Sequence, residues 1–226
     1  MSTLYRTKGY VLKKNDLREA DQFFTVYTKD FGKIAVLGRA IRKIKSKLRS
    51  GIDLFYFSEI EFIQGKVYKT LTNAVVIEKP DKNNLDKMKS FNNITEFLNF
   101  LVHEEKDINI WNLLEECLSK LDKDIIYYYF AWNLASVMGY EIDLNNCAVC
   151  QKKLKPENFN FSLDQHGIVC AQCFDRAEEK QEISVNTVKI LRLFLEKNWQ
   201  IISRIKVFPI KELETITEKL KYAIIK

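Results

Sequence analysis

Residues 52–64 read "IDLFYFSEIEFIQ". Within them Leu54, Tyr56, Ile60 and Phe62 alternate with Phe55, Phe57, Glu59 and Glu61. A period of two marks a strand with unlike faces, one toward a core and one toward water. Similar runs lie on both sides. Before it stand "YRTKGYVLKK" (5–14), "QFFTVYTK" (22–29) and "GKIAVLGR" (32–39), and after it "VYKTLTNAVVIE" (67–78). Each is rich in β-branched and aromatic residues. Turn signals separate most of them: Asn15-Asp16, Asp30-Phe31-Gly32 and Gly65. Five short antiparallel strands in about 80 residues fit a small closed barrel, of which the OB-fold is a common five-stranded form. An SH3-like barrel fits the pattern almost as well.

Beyond Pro80 and Asn83-Asn84 the period changes. Phe91, Ile94, Phe97, Leu98 and Leu101 recur at helical spacing, as do Ile110, Leu113, Leu114, Cys117 and Leu121. A third helix, "IIYYYFAWNLASVMGY" (125–140), is closed by Gly139 in a C′ position. Ser184 is placed to cap a fourth, and residues 210–226 form the last. The expected organisation is therefore α+β and multidomain. A barrel over residues 1–80 precedes a helical domain over 81–226, with a metal module inserted at about 144–176.

The 226 residues carry a net charge of +6, unevenly placed. Residues 1–80 have a net charge of +8, residues 81–146 of −6 and residues 147–226 of +4. Such asymmetry points to one part that meets a polyanion and another that does not. No apolar run reaches the roughly 18–20 residues of a membrane helix. The opening "MSTLYRTKGYVLKK" has no apolar signal-peptide core. The expectation is a soluble cytoplasmic protein without membrane partners.

Four of the five cysteines form two pairs, Cys147-x2-Cys150 and Cys170-x2-Cys173, separated by 19 residues. In a reducing compartment such pairs favour a metal over disulfides. Each knuckle turns two thiolates onto one ion, and two knuckles complete a tetrahedron around zinc. Four thiolates leave no open coordination position, so one structural Zn2+ is expected rather than a catalytic one. His166 is read as a turn residue and Cys117 as a core residue. No phosphate-binding loop, dinucleotide turn or nucleophile–histidine arrangement is present. His103, beside Glu104 and Glu105, reads as a solvated helix end. The chain is expected not to be an enzyme.

One basic stretch stands out: "GRAIRKIKSKLRSG" (38–51). From Gly32 to Ile52 there is no acidic residue, and Lys33, Arg39, Arg42, Lys43, Lys45, Lys47 and Arg49 lie in between. Phosphates relieve the mutual repulsion of such cations, and counterion release drives the contact. Glycines at 38 and 51 bracket the stretch, which predicts freedom to move. The aromatics Tyr5, Tyr10, Phe23, Phe24, Tyr27, Phe55, Tyr56, Phe57 and Tyr68 surround it in sequence. Some must fill the barrel, while others can stack bases, as in OB-folds that hold single strands. An RNA-binding zinc-ribbon protein of translation or RNA processing would share these features.

The run "GYVLKKNDLREADQFFTVYTKDFGK" (9–33) resembles the opening of the RecO family of bacterial recombination mediators. Gly9 to Leu12, Glu19 to Asp21 and Thr28 to Lys33 carry the likeness. "GRAIRKIKSKL" is similar to that family's basic segment, "FAWNLASVMGYEIDLNNCAVC" (130–150) to its helix and first cysteine pair, and "HGIVCAQC" (166–173) to the second. Ile142 stands where the family often has Pro, and His166-Gly167 where it has paired glycines. The resemblance implies an N-terminal OB-fold and a helical domain carrying a four-cysteine zinc module. It implies a DNA repair and recombination mediator that binds single- and double-stranded DNA and anneals complementary strands. The implied partners are RecR, the C-terminal tail of single-strand-binding protein and, indirectly, RecA. Carried over, Lys33, Arg39, Arg42, Lys43 and Lys45 would be DNA contacts, at the nucleoid.

Overall fold

The structure, a computed structural model, describes residues 3–104, 106–140, 142–155, 159–162, 164–165, 167–176 and 180–225. They fall into two compact units, Met1–Asp122 and Lys123–Lys226.

The first unit begins with five strands: β1 (Leu4–Leu17), β2 (Asp21–Thr28), β3 (Gly32–Gly38), β4 (Phe57–Gln64) and β5 (Lys69–Glu78). They close into a barrel in the order β1-β2-β3-β5-β4, with β4 returning to β1. All pairings are antiparallel except β3 with β5, which run parallel through Val36↔Lys69 and Leu37↔Thr70. This is the OB-fold order, which decides between the two barrels the pattern allowed. β1 serves two neighbours because a bulge between Val11 and Lys13 bends it. Its first half pairs with β4 and its second half with β2.

The alternation in residues 52–64 holds only from Phe57 onward. Ser58, Ile60 and Phe62 point inward, while Glu59, Glu61 and Ile63 are half-exposed. The first part of the run is a turn. Phe55 has φ +66°, its N–H donates to the Val11 carbonyl, and the Val11 N–H donates to the Tyr56 carbonyl. The chain thus hooks onto β1 at its bulge instead of extending the ladder. The turn expected at Asn15-Asp16 comes later, at 18–20, because the β1–β2 ladder continues to Leu17↔Asp21.

The barrel is filled by Val11, Phe24, Val26, Ile34, Val36, Ile60, Phe62, Leu71 and Ala74, joined by Ile41 and Ile52 from the β3–β4 connection. Gly51 lets that connection close. A Cβ there would lie 1.9 Å from the Ala74 carbonyl oxygen. Gly38 and Gly51 are buried, so the bracketing glycines permit close packing rather than movement.

Two helices complete this unit, α1 (Leu85–Leu101) and α2 (Ile108–Leu118). Asn84 caps α1 by accepting from the Lys87 N–H, and Asp107 caps α2 by accepting from Asn109 and Ile110. Trp111 of α2 packs on Tyr10, Tyr27 and Phe57, and Phe91 of α1 packs on Phe55.

The second unit is built on α3 (Ile126–Val137), which is apolar on nearly every side. Gly139, at φ +88°, ends it, and the Tyr140 N–H bonds back to the Ala135 carbonyl. A three-stranded sheet follows, β6 (Phe159–Ser162), β7 (Gly167–Val169) and β8 (Lys180–Ile183), ordered β7-β6-β8. Then come α4 (Val185–Leu195), α5 (Trp199–Ile202) and α6 (Ile210–Ile225). Trp132 donates to Thr217 of α6 and Asn133 to the Phe194 carbonyl of α4, so the polar atoms within this core are paired. Ser184 caps α4 as the sequence predicts. Glu212 of α6 accepts from the Ser184 N–H and the Thr187 hydroxyl. Among the described residues no helix is long and apolar enough to cross a membrane.

Two substitutions separate the roles of glycine. Gly51→Ala forces an overpacked contact and is expected to cost about 3 kcal/mol or more. Gly139→Ala meets nothing within 4 Å and should cost only about 1 kcal/mol, for the left-handed backbone. Urea denaturation of both variants checks the ranking. A pH titration of stability tests Glu212. Burial disfavours its charge, but the bonds from Thr187 and Ser184 prevail and hold its carboxyl below the usual value. Its stabilisation is therefore present above the ordinary glutamate range and lost as pH falls through and below it. Glu212→Gln should flatten that part of the profile.

Candidate nucleic-acid interface and metal centre

The basic stretch forms most of the connection between β3 and β4. Ile41 is 1% exposed and Ile52 2%, Leu48 packs beneath the same core, and a 3-10 turn spans Lys47–Ser50. Ile41, Leu48 and Ile52 are turned inward, whereas Ile44 is 91% exposed and Arg39, Arg42, Lys43, Lys45, Lys47 and Arg49 all project into solvent. The segment is also tied to the β1–β2 turn. The Ala40 N–H donates to Asp21 at 2.7 Å and the Arg42 N–H to the Ala20 carbonyl at 3.0 Å. The Arg42 guanidinium reaches Asp16 at 3.3 Å and the Arg18 carbonyl at 3.4 Å. The structure thus brings six of the seven predicted cations onto one ordered ledge.

Lys33 is set apart from them. It leaves β3 toward α1 and donates to the Asn99 carbonyl at 2.6 Å. Burial lowers its pKa, partly offset by Glu104. It braces a helix against the barrel.

The barrel adds cations that are distant in sequence. Lys14 lines a depression of about 700 Å³ together with Arg42, Arg49, Asp53 and Tyr56. Asp53 pairs with Lys14 at 2.5 Å and with Lys82 at 3.8 Å. Burial raises the Asp53 pKa, yet Lys14, the Leu54 N–H and Lys82 together hold it below the ordinary value. Lys79 and Lys82 stand over the Tyr56 ring at 5.5 and 5.8 Å. No sequence motif marks Lys14, Lys79 and Lys82, because only barrel closure makes them neighbours.

The aromatics now separate. Phe24 and Tyr27 are buried, as are Tyr10 and Phe55. Tyr5 packs between Phe31 and Phe62, and Phe57 stacks on Tyr10. Tyr68 is 49% exposed and meets half-buried Phe23 edge-on at 4.9 Å. This pair lies where β2 meets the turn between β4 and β5.

The four paired cysteines converge in the second unit. Cys147, Cys150, Cys170 and Cys173 place their sulfurs within 4.8 Å of one another, and Cys150 and Cys170 are 3.9 Å apart. The edge of a tetrahedron with metal–sulfur bonds of ~2.3 Å is ~3.8 Å. Backbone bonds shape both knuckles. Asp143 gathers the Asn145 and Asn146 N–H groups, the Ala148 N–H donates to the Ile168 carbonyl, and the Cys173 N–H to Cys170. Gly167 packs closely beside Ala148, whose Cβ would lie 3.2 Å from an added one. Arg192 of α4 grips the Leu144 carbonyl at 2.5 and 3.0 Å. Phe161 of β6 packs against Trp132 of α3.

Burial opposes charge on Cys147, but the backbone N–H groups of Cys150, Cys170 and Val149 outweigh it and bring the thiol down to about 6. Burial and the neighbouring sulfurs push Cys173 up to about 12. Cys117 is buried, as the sequence predicts. His166 lies outside the described residues.

The N-terminal family model "Recombination protein O N terminal" matches residues 1–80, and "Recombination protein O C terminal" matches residues 82–220. The chain belongs to the RecO family. A protein named DNA repair protein RecO from Dehalococcoides mccartyi strain CBDB1 is 30% identical over 210 residues, spanning 90% of this chain and 83% of its own. Its namesake from Desulforamulus reducens is 29% identical over 195 residues, covering 84% of this chain and 76% of its own. That of Halalkalibacterium halodurans is 26% identical, with coverage of 91% and 83%. The RecO family models meet between residues 80 and 82, whereas the compact first unit also takes in α1 and α2.

Two measurements test these assignments. Titration of the reduced, metal-free protein with cobalt(II) should saturate at one equivalent with a tetrahedral thiolate spectrum, and Cys147→Ser should abolish it. Apparent affinity should fall as pH is lowered, because the thiols must release protons to bind. Lys33→Met should lower stability by about 1 kcal/mol in urea denaturation, the worth of one hydrogen bond.

Proposed function

We propose that this chain is a DNA repair and recombination mediator. It binds single- and double-stranded DNA, anneals complementary strands and helps load recombinase onto DNA coated with single-strand-binding protein. The observation that carries this reading is the ledge of six exposed cations held against an OB barrel in a chain of the RecO family. OB-folds bind oligonucleotides on the face of strands 2 and 3 and on the loops between strands 1 and 2 and strands 4 and 5. The ledge is hydrogen-bonded to the first of those loops, and Tyr68 with Phe23 lies at the second. Arg39, Arg42, Lys43, Lys45, Lys47 and Arg49 hold phosphates without reading sequence, and Tyr68 with Phe23 offers a stacking surface for bases. Lys33, held by the Asn99 carbonyl of α1, stands apart from this surface.

On this reading the protein has no catalytic chemistry of its own and works in the cytoplasm, at the nucleoid. Strand pairing supplies the free energy of annealing, and the cations lower the repulsion between two phosphate chains. RecR, the acidic tail of single-strand-binding protein and, indirectly, RecA are its partners. The metal is one zinc ion, which four thiolates suit by softness and geometry. Its role is structural: it ties two knuckles whose strands are only three or four residues long.

Fluorescence-monitored annealing and binding at several salt concentrations test the proposal. For wild type, log affinity for single strands should fall with log salt, with a slope of about −0.7 per phosphate engaged. The triple change Arg39→Glu, Arg42→Glu, Lys43→Glu should weaken binding to all sequences alike and make the slope shallower by about 2. Annealing should slow in step. Binding and annealing unchanged in the triple variant would remove the ledge as the site, and a preference for RNA in direct competition would favour a role on RNA.

A further inference from the structure

We infer that the first unit carries a cage for a basic side chain presented by a partner protein. The cage is a cavity of about 430 Å³ bordered by the barrel, α1 and α2, and residues of this unit alone line it. Apart from Lys79, its lining residues are not ones placed at the nucleic-acid interface.

Its aromatic wall consists of four side chains. Tyr10 and Phe57 stack at 4.4 Å, and Phe55 packs on Phe91 at 4.9 Å. Phe55 reaches this position only through a left-handed backbone, φ +66°, which bulky residues seldom adopt. The conformation is held on both sides by the paired bonds to Val11. Non-glycine residues kept in such conformations concentrate at functional sites.

The border is acidic although the barrel is strongly basic. Glu78, Asp81, Glu115 and Asp122 border the cavity, with Lys79 and Lys87 as the cations. The four carboxylates outnumber these two cations, and Lys79 also reaches the Tyr56 ring at 5.5 Å. The acids act on the floor. The Tyr10 hydroxyl is pushed up to about 12, by burial first and then by Glu115 and Glu78. Carboxylates thus stand beside aromatic rings around one cavity, an arrangement that suits a guanidinium or ammonium. A phosphate chain is repelled there, so the occupant belongs to a protein. Met88, Leu118 and Leu121 line the remainder, so the fitting partner segment has an aliphatic residue beside its Arg or Lys.

The test uses the full chain, isotopically labelled, titrated with the blocked dipeptide acetyl-Arg-Leu-amide while amide shifts are followed by NMR. Saturable shifts are expected at Phe55, Glu78 and Ser119, and acetyl-Glu-Leu-amide should produce none there. The double variant Glu78→Gln, Glu115→Gln should weaken the basic probe at least about fivefold, the worth of one moderate charge–ring or charge–charge contact. Phe57→Leu, which keeps the site apolar but removes a ring face, should weaken it too. Spectra away from the cavity should be unchanged in both variants. Shifts absent at tens of millimolar probe, equal binding of the acidic probe, or full affinity in the double variant would each overturn the cage. DNA binding is measured separately, so either reading can fail while the other stands.

Discussion

The first unit depends on how the barrel closes. β3 and β5 meet through only two parallel pairs, Val36↔Lys69 and Leu37↔Thr70. So short a seam is secured from inside and alongside. Ile41 and Ile52 enter the core from the β3–β4 connection, and Gly51 brings that connection into contact with the Ala74 carbonyl. The Ser58 hydroxyl donates to the Gly51 carbonyl at 2.7 Å within the buried interior. The barrel cannot close around a differently built connection without a cavity or a clash, either of which costs on the order of kilocalories.

The same closure creates the charged surface. Because Ile41, Leu48 and Ile52 are drawn inward, the lysines and arginines between them are turned outward. Six like charges are held together by core packing, and Arg42 among them pairs with Asp16. The unit thus carries a local positive potential, which salt screens. The four-cysteine module has a comparable logic. Its strands are three or four residues long, too short to persist alone. The sulfurs are brought together by a backbone network around Asp143, Ala148 and Arg192.

Much of this was legible from residue order. The period of two in 57–64, the helical spacing after residue 84, the caps at Ser184 and Gly139 and the two cysteine pairs follow from local geometry, and the structure agrees. The departures have local causes of their own. Residues 52–56 read as strand because Leu54 and Tyr56 continue the alternation, yet Phe55 turns the chain left-handed to bond with Val11. Gly38 and Gly51 read as hinges because glycine is permissive, but at Gly51 the absent Cβ matters more than the free backbone. Lys33 read as one of seven equivalent cations. Strand alternation turns it toward α1, where a carbonyl at a helix end receives it.

The sequence by itself determined which segments pair or coil, where the positive charge is concentrated and that four thiols come in two knuckles. These properties depend on neighbours within a few residues, where spacing translates directly into direction. Only the tertiary structure decided the OB order of the strands, which aromatics fill the barrel and which remain half-exposed, and which lysines join the ledge. It alone brought Lys14, Lys79 and Lys82 around Tyr56, and Glu78 and Glu115 over Tyr10. Those groups meet through barrel closure and helix packing, and both depend on burying apolar side chains that are far apart in the chain. No local pattern encodes such a meeting, because the free energy that enforces it belongs to the core as a whole.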